Sequence, residues 1–470
     1  MNNDEFRKQA HQFVDWMGDY YEEVEKYPVK SKVKPGEVGA RIPPSPPSRG
    51  EGMEKIFKDF KDIIIPGITH WQSPNFFAYF TANSSYPSVL AEMLTATLGA
   101  QCMIWETSPA ATELEEKVMD WLKQMLGLPA IMNGVIQDTA STSTLVAILT
   151  ARERASGYQI NADGFTNHLN MKVYCSSETH SSIEKAVKIA GMGKENLVKI
   201  AVKENLGMDP KKLRAALADD ARKGNLPTCV IATLGTTSTL AMDPLEEIAN
   251  ICKEFKAWLH VDAAMAGSAM VLEKYRYLLK GIEHVDSFVF NPHKWMFTNF
   301  DCSAYFVKDA KALKRTFEIM PEYLKTESDN KVNNYRDWGI QLGRRFRALK
   351  LWFVIREYGT KGIAKTIANH ISLAEKFEQK VKEHPHFELM APRSLNLVCF
   401  RYHPDGNKEK KLNELNETLL SKLNDSGKIF ITHTKINGQY TLRMVIGQTN
   451  VSGRHVDMAW KMIKETARKL

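Results

Sequence analysis

The stretch Asp286-Ser-Phe-Val-Phe-Asn-Pro-His-Lys-Trp295 decides the fold of this chain. Its alternating apolar residues predict a strand, Ser287–Asn291, that stops at Pro292 because proline removes a ladder donor and restricts the residue before it. His293 and Lys294 follow directly. Ligands of parallel sheets bind at the carboxyl ends of strands, and a desolvated lysine there can attack a carbonyl as a neutral amine. Most lysines are solvated surface residues, so this interpretation needs a second feature.

The second feature is the stretch Trp258-Leu-His-Val-Asp-Ala-Ala264, another apolar strand that ends in a carboxylate, Asp262. A buried carboxylate needs a partner, because an unpaired buried charge is costly. The protonated ring nitrogen of pyridoxal phosphate (PLP) is such a partner, and a carboxylate raises the pKa of that nitrogen. Asp262 and Lys294 each follow their own strand. Together they predict a PLP enzyme.

Strands and helices alternate from Lys172 to Val307, which predicts a mainly parallel sheet with helices on both faces. The candidate strands are Lys172–Ser176, Leu197–Val202, Cys229–Leu234, Trp258–Val261, Ser287–Asn291 and Ser303–Val307. The helices between them include Ser182–Ala190, Pro210–Arg222 and Pro244–Phe255. Polar residues follow several strand ends, namely His180, Thr236, Asp262, His293 and Lys294. Core packing alone does not explain this placement.

A turn of small hydroxyl residues, within 134–141, leads into a predicted helix, Thr142–Arg154. Free N–H groups and the positive end of the helix dipole make such a turn a ready anion site. By itself the turn is more often a plain helix cap. With a phosphate-bearing cofactor inferred, Thr139, Ala140 and Ser141 are candidate phosphate ligands. Asp138 would repel a phosphate, so we expect its side chain to point away.

Four motifs carry a resemblance to a known family, the PLP-dependent aromatic-L-amino-acid decarboxylases, also called group II decarboxylases. They are His260-Val-Asp-Ala-Ala-Met-Ala-Gly-Ser268, Asn291-Pro-His-Lys-Trp295, Asn299-Phe-Asp-Cys-Ser-Ala304 and Leu342-Gly-Arg-Arg-Phe-Arg347. The resemblance covers nearly the whole chain. It implies the PLP-dependent transferase-like fold (fold type I), an α/β fold with a central mainly parallel sheet, an N-terminal helical segment and a C-terminal α+β domain.

Three parts of the chain are expected. Residues 1–80 form an N-terminal helical segment, whose lone amphipathic helix and proline-rich connector have too little to bury by themselves. Residues 81–359 form the large PLP-binding α/β domain, and residues 360–470 form a small α+β domain with antiparallel strands. In the family the N-terminal segment clasps a second subunit, so the resemblance implies a homodimer with its active site at the subunit interface.

The resemblance also implies roles for individual residues. The catalytic set is expected to comprise Lys294, which carries the cofactor, Asp262 at the ring nitrogen, His180 over the ring, and Tyr323. Tyr323 would sit on a mobile loop within 321–334 and protonate the substrate's Cα. The expected cofactor ligands are Thr139, Ala140, Ser141, His180, Thr236, Asp262, Ala264, Asn291, His293 and Lys294. The expected substrate-binding residues are Trp71, Tyr79, Phe80, Thr81, Ala82, Gln101, Met103 and Gly343.

The expected reaction is decarboxylation of an aromatic L-amino acid, with tryptophan, phenylalanine, tyrosine and dihydroxyphenylalanine all open as substrates. Gly343 leaves room for a wide ring and weakly favours indole. An aromatic acetaldehyde synthase is the alternative on the same fold, but such members commonly carry phenylalanine in place of Tyr323 or lack the histidine at His180. A glutamate decarboxylase is a further alternative, which the aromatic stretch Trp71–Phe80 disfavours. A catalytically silent scaffold is another, and it would be expected to have lost Lys294, Asp262 or His180.

Composition narrows the class of protein further. The 470 residues carry a net charge of +8, but basic and acidic residues are interspersed, which indicates a solvated surface and no nucleic-acid partner. The six cysteines show no pairwise spacing, which favours reduced thiols over disulfides or a metal site. No long apolar run predicts a membrane span, and the charged N-terminus does not resemble a signal peptide. We therefore expect a cytoplasmic enzyme.

Overall fold

The computed structural model describes residues 1–166, 170–319 and 332–470. The chain separates into two compact units, one formed by Met1–Thr81 with Ser372–Leu470 and the other by Ala82–Ile371. No helix in the described ranges is both long enough and apolar enough to cross a membrane. The division into an N-terminal segment (1–80), a PLP-binding domain (81–359) and a C-terminal domain (360–470) stays a prediction.

The described part of the chain contains the following helices and strands. The helices are α1 Asn3–Glu23, α2 Met53–Asp59, α3 Tyr86–Leu98, α4 Pro109–Leu126, α5 Ala140–Ala155, α6 Gln159–Asp163, α7 Ser182–Ile189, α8 Pro210–Arg222, α9 Leu245–Phe255, α10 Pro292–Trp295, α11 Ala310–Phe317, α12 Arg347–Lys382, α13 Glu409–Asp425 and α14 Gly453–Ala467. The strands are β1 Asn133–Gln137, β2 Met171–Ser176, β3 Leu197–Ile200, β4 Leu226–Thr233, β5 Trp258–Asp262, β6 Ser287–Phe290, β7 Ser303–Val307, β8 Phe387–Leu389, β9 Leu397–Tyr402, β10 Thr432–Ile436 and β11 Gln439–Val445.

The Ala82–Ile371 unit is built on a seven-stranded sheet in the order β1-β7-β6-β5-β4-β2-β3. The strands from β3 to β6 pair in parallel, whereas β7 runs antiparallel to both β6 and β1. The predicted mainly parallel sheet is therefore confirmed. Sequence reasoning missed β1, because it treated 134–141 as a turn. Residues of α5 and α7 pack with the strands into one buried apolar core, so these helices shield apolar residues of the sheet from water.

The two central strands, β5 and β6, are buried along their whole length. Asp262 at the end of β5 pairs in register with Val289 of β6, so both strands end at the same edge of the sheet. Gly267 packs against β6, where an added Cβ would lie 2.4 Å from the Cβ of Phe290. Because glycine has no Cβ, the chain after β5 can pass this close to β6, whereas any other residue would collide with Phe290.

The other unit contains a four-stranded antiparallel sheet in the order β10-β11-β9-β8. Helices α13 and α14 pack on it, and their apolar faces share a buried core with the strands. Phe377, Phe400 and Trp460 meet edge to face in that core. This confirms the predicted C-terminal α+β arrangement.

Helix α1 belongs to the same unit and has no buried residue. Asn2 and Glu5 form a capping box that satisfies its first N–H groups. Its aromatic stripe packs on the region of α2, with ring centroids 4.5 Å apart for Phe13 and Phe57 and 5.1 Å apart for Trp16 and Phe60. A small aromatic cluster thus anchors the helix, and a hydrogen bond of 2.9 Å between the Tyr20 hydroxyl and His70 Nδ1 adds to it.

Candidate active site

Lys294 and Asp262 lie at the carboxyl ends of the paired strands β6 and β5. Lys294 is in the short helical turn α10, which begins at Pro292 immediately beyond β6. Asp262 is 6% exposed, and the N–H of Ala264 donates to its Oδ1 at 3.0 Å. Burial lowers the pKa of Lys294, and the charge of Asp262 opposes that shift. The structure therefore places a desolvated amine within the field of a buried carboxylate.

His180 is electrostatically coupled to both of these groups. Partial desolvation lowers its pKa, the charge of Asp262 raises it, and the charge of Lys294 lowers it. The N–H of Ser182 donates to His180 Nδ1 at 3.1 Å, so the neutral ring carries its proton on Nε2. These three side chains, which are far apart in sequence, form one cluster.

His293 is buried against the same strand end. The N–H of Cys302 donates to its Nδ1 at 2.9 Å, which again leaves the proton of the neutral ring on Nε2. Burial, followed by the charges of Lys294 and Lys350, lowers the pKa of His293 to about 3. His293 is therefore an uncharged hydrogen-bond donor next to Lys294.

Two residues that sequence reasoning did not single out hold this strand end in place. Asn83 donates from its backbone N–H to the carbonyl of His293 at 3.1 Å and from Nδ2 to the carbonyl of Lys294 at 2.6 Å. Ser303 donates from Oγ to Asn291 Oδ1 at 2.7 Å. The contacts of Asn83 join segments that are far apart in sequence, and the contact of Ser303 crosses the turn between β6 and β7. No local sequence pattern therefore predicts them.

The predicted phosphate-binding turn lies between β1 and α5. Thr139 is the N-cap of α5, and its Oγ1 accepts from the N–H of Thr142 at 3.4 Å. Ala140 and Ser141 form the first turn, where backbone N–H groups have no partner within the helix. Asp138 lies next to this turn, and its Oδ1 accepts from the N–H of Thr139 at 2.6 Å. Whether its side chain faces a bound phosphate stays a prediction.

Thr236 and Ala264, two further expected cofactor ligands, follow β4 and β5. Thr236 is fully buried, and its Oγ1 accepts from the N–H of Ala241 at 3.1 Å. That bond closes the turn after β4. The carbonyl of Ala264 accepts from the N–H of Asn291 at 3.0 Å, which ties the ends of β5 and β6 together.

The expected substrate-binding residues divide between the two units. Ala82, Gln101, Met103 and Gly343 belong to the Ala82–Ile371 unit. Gln101 Oε1 accepts from the N–H of Arg344 at 2.7 Å, so the segment 101–103 lies beside Gly343. A Cβ added at Gly343 would lie 3.4 Å from Gln101 Nε2, at the border of ordinary contact.

Trp71, Tyr79, Phe80 and Thr81 belong to the other unit. The rings of Trp71 and Tyr79 stack with centroids 5.8 Å apart, and Tyr79 keeps half of its surface exposed. Thr81 is buried, and its Oγ1 has no hydrogen-bond partner in the described part of the chain. Tyr323 and most of the predicted loop 321–334 lie outside the described residues.

The donor set of this site fits PLP. Asp262 Oδ2 accepts no hydrogen bond from the residues that the structure describes, which leaves it for a protonated ring nitrogen. The first turn of α5 offers N–H groups and hydroxyls to a phosphate. Lys294, with its lowered pKa, offers an amine to an aldehyde. The described residues thus include a chemical group suited to each part of the cofactor.

Comparisons with known proteins identify the class. The model of the pyridoxal-dependent decarboxylase conserved domain matches residues 35–403. The chain is 43% identical to tryptophan decarboxylase 2 of Oryza sativa subsp. japonica, covering 100% of this chain and 96% of that protein. It is 42% identical to a phenylacetaldehyde synthase of Arabidopsis thaliana, covering 100% and 97% respectively. The crystal structure of Oryza sativa TDC with PLP and tryptamine matches with a TM-score of 0.97 at 37% identity, covering 100% of this chain and 99% of that one.

The fold and the site define a PLP-dependent enzyme of fold type I. The chain belongs to the pyridoxal-dependent decarboxylase family. It is therefore a carboxy-lyase that uses PLP, and the resemblance to the group II decarboxylases noted from the sequence is confirmed.

Proposed function

We propose that this enzyme decarboxylates an aromatic L-amino acid to the corresponding arylalkylamine and CO2. The cluster of Lys294, Asp262 and His180 carries the proposal, because it combines a desolvated amine, a buried carboxylate and an imidazole at the ends of adjacent strands. Bound PLP supplies an electron-accepting ring, which stabilises negative charge at the substrate's Cα. The similarity to tryptophan decarboxylase 2 supports an aromatic substrate.

Each residue of the cluster would have a defined task. Desolvation keeps a larger fraction of Lys294 neutral at physiological pH, as attack on a carbonyl requires. Asp262 would hold a positive charge on the ring nitrogen. The Nε2–H of His180 and that of His293 would donate hydrogen bonds without adding charge. Thr139, Ala140 and Ser141 would bind the phosphate. Holding the Cα–carboxylate bond perpendicular to the ring then selects decarboxylation over other reactions.

The aromatic stretch before Ala82 supports a flat apolar side chain as substrate. Trp71 stacks on both Phe76 and Tyr79, and the exposed face of Tyr79 offers a ready ring surface. Gly343 supports a wide ring, because it adds no side chain beside Gln101, another expected substrate-binding residue. Tryptophan is accordingly the substrate we place first, with tyrosine, phenylalanine and dihydroxyphenylalanine as the other aromatic candidates.

The second candidate function is an aromatic acetaldehyde synthase, which the similarity to phenylacetaldehyde synthase supports. That reaction consumes O2 and water and releases aldehyde, CO2, ammonia and hydrogen peroxide. This chain carries both Tyr323 and His180, the pair expected of amine-forming members. Amine formation is therefore the first proposal.

Product analysis distinguishes the two functions. We expect PLP-loaded protein given tryptophan to release tryptamine and CO2 in equal amounts, with no peroxide, as measured by mass spectrometry and a peroxidase assay. The relative rates with tyrosine, phenylalanine, dihydroxyphenylalanine and glutamate then rank the substrates. Indole acetaldehyde with an equal amount of peroxide would overturn the proposal in favour of the synthase. Turnover of glutamate alone would contradict the aromatic assignment.

We further propose that the enzyme is a homodimer whose subunits jointly form the active site, and that it is cytoplasmic. Six unpaired, buried cysteines support a reducing compartment. An exposed apolar stripe on α3 supports the dimer, since Tyr86, Leu90, Leu94 and Leu98 recur at four-residue spacing and are 59%, 53%, 46% and 63% exposed. Contiguous apolar surface of this kind marks protein interfaces.

Charge introduced into that stripe should dissociate the dimer. For the double substitution Leu90→Lys and Leu94→Lys, we expect the dimer dissociation constant to rise by about 100-fold or more, because two ammonium groups would be desolvated on binding. Light scattering after size-exclusion chromatography measures this change. Ile189→Lys is the matched control, since Ile189 is 62% exposed on α7. A double variant that stayed as dimeric as the wild type would show that α3 is not the interface.

A further inference from the structure

Asp138 places a carboxylate at the N-terminal end of α5, beside the residues assigned to the phosphate. Its Oδ1 accepts from the N–H of Thr139 at 2.6 Å, and its Oδ2 accepts from Gln341 Nε2 at 3.1 Å. The side chain is thus held at the helix start from two sides. A phosphate bound by the first turn of α5 would use the same positive potential.

Helix capping does not account for this carboxylate. Thr139 is already the N-cap of α5, and its Oγ1 accepts from the N–H of Thr142. Asp138 lies one residue earlier and accepts from Thr139 itself. Among the described residues, no Lys, Arg or His forms an ion pair with Asp138. Arg347 acts on it electrostatically, but the Nε of Arg347 already donates to Asp301 Oδ1 at 2.7 Å.

We propose that Asp138 weakens the binding of the cofactor's phosphate by occupying the N–H of Thr139, the N-cap of α5, and by repelling the phosphate's charge. The inference rests on the proposed assignment of the phosphate to Thr139, Ala140 and Ser141. The carboxylate occupies one N–H group and repels a phosphate group that carries nearly two negative charges at neutral pH. Asp138 is a positioning residue in this role, since it acts on the phosphate through charge and through the Thr139 amide.

The test compares PLP with pyridoxal, which lacks the phosphate but carries the same aldehyde for Lys294. Apoenzyme is titrated with each compound, and the cofactor absorbance gives the two dissociation constants. For Asp138→Asn, we expect the constant for PLP to fall by about tenfold or more and the constant for pyridoxal to stay unchanged. The inhibition constant of inorganic phosphate, measured by its competition with PLP, should also fall in this variant. Asparagine keeps the side-chain oxygen that accepts from Thr139, so the turn should be preserved.

The matched control is Asp209→Asn, which removes the same charge from the N-cap of α8. Asp209 Oδ1 likewise accepts from a backbone N–H at a helix start, that of Lys211 at 2.9 Å, although Asp209 is itself the N-cap. No predicted site residue lies on that helix, so neither cofactor constant should change. An unchanged or higher PLP constant in Asp138→Asn would overturn the inference. So would an equal shift for pyridoxal, because the effect would then not involve the phosphate. Either result leaves amine production by the wild type intact, whereas absence of amine from PLP-loaded wild type would contradict the proposed function itself.

Discussion

Replacing Lys294 by alanine should abolish decarboxylation. We expect kcat to fall by about four orders of magnitude or more, as happens when other covalent catalytic groups are removed. The physical reason is that Lys294 is the desolvated amine at the end of β6, and Asp262 and His180 are the groups electrostatically coupled to it. Single-turnover assays with tryptophan measure the loss. Lys280→Ala is the control, because the Lys280 ammonium is exposed and pairs with Glu246 on the surface. Substantial residual turnover in Lys294→Ala would remove Lys294 from the mechanism.

The same position should show a trade between stability and function. Burial depresses the pKa of Lys294 in the folded apoenzyme, so the folded state disfavours its proton. Above the ordinary lysine pKa, Lys294 is neutral in both states and its burial does not penalise folding. As the pH falls from there through the lowered pKa of the folded state, the folded protein loses that stability, because only the unfolded chain takes up the proton readily. Lys294→Met removes the ionisable group at similar volume, and we expect the apoenzyme to gain about 0.5–2 kcal/mol at neutral pH. That gain should shrink at alkaline pH, as urea unfolding at several pH values will test.

Local sequence signals predicted the strands that carry the site. Ser287–Phe290 is an apolar run that ends just before Asn291-Pro292, and Trp258–Asp262 ends in a charged residue. Neighbouring residues therefore predict where both strands end. Strand β1 was missed because only two of its five residues are large and apolar, and it leads directly into the small hydroxyl residues of the turn. The reversal of β7 had a local cause that was overlooked. The connection 291–302 contains only the four-residue helix α10, too little for a helical crossover, so the chain returns antiparallel to β6.

The candidate site was predictable only in part, for the same reason. Lys294 and Asp262 could be proposed because each lies at the end of a strand and each has the side chain that a PLP enzyme needs at such a place. Asn83 could not, since its value lies in hydrogen bonds to the carbonyls of His293 and Lys294 across more than two hundred residues. The tautomer of His293 was equally hidden, because a backbone N–H, that of Cys302, determines it. Residue type and position after a strand predict the candidate reacting groups. The groups that orient them can be identified only in the folded structure, because their contacts join distant parts of the sequence.

Asp262→Asn should show that the carboxylate supplies charge as well as a hydrogen bond. Asparagine keeps an oxygen that can accept from the Ala264 N–H, so the turn after β5 should persist. It cannot stabilise a positive charge on the ring nitrogen. We expect kcat to fall by about 100- to 1,000-fold, the range found when one preorganised electrostatic group is removed. The cofactor should still attach to Lys294, as its absorbance will report.

The informative control is Asp286→Asn, a carboxylate just before the opposite end of β6. Asp286 accepts from the N–H of Leu259 at 2.8 Å and from Arg154 at 3.1 Å, so its loss should lower the melting temperature and leave kcat nearly unchanged. If both variants lost stability and activity together, Asp262 would be a structural residue. If Asp262→Asn kept full activity, the ring nitrogen would not need its charge. The electrostatic task belongs to Asp262 only if kcat falls strongly while cofactor binding and folding stay intact. That result would distinguish Asp262, whose charge acts on the cofactor, from Asp286, whose charge only stabilises the sheet.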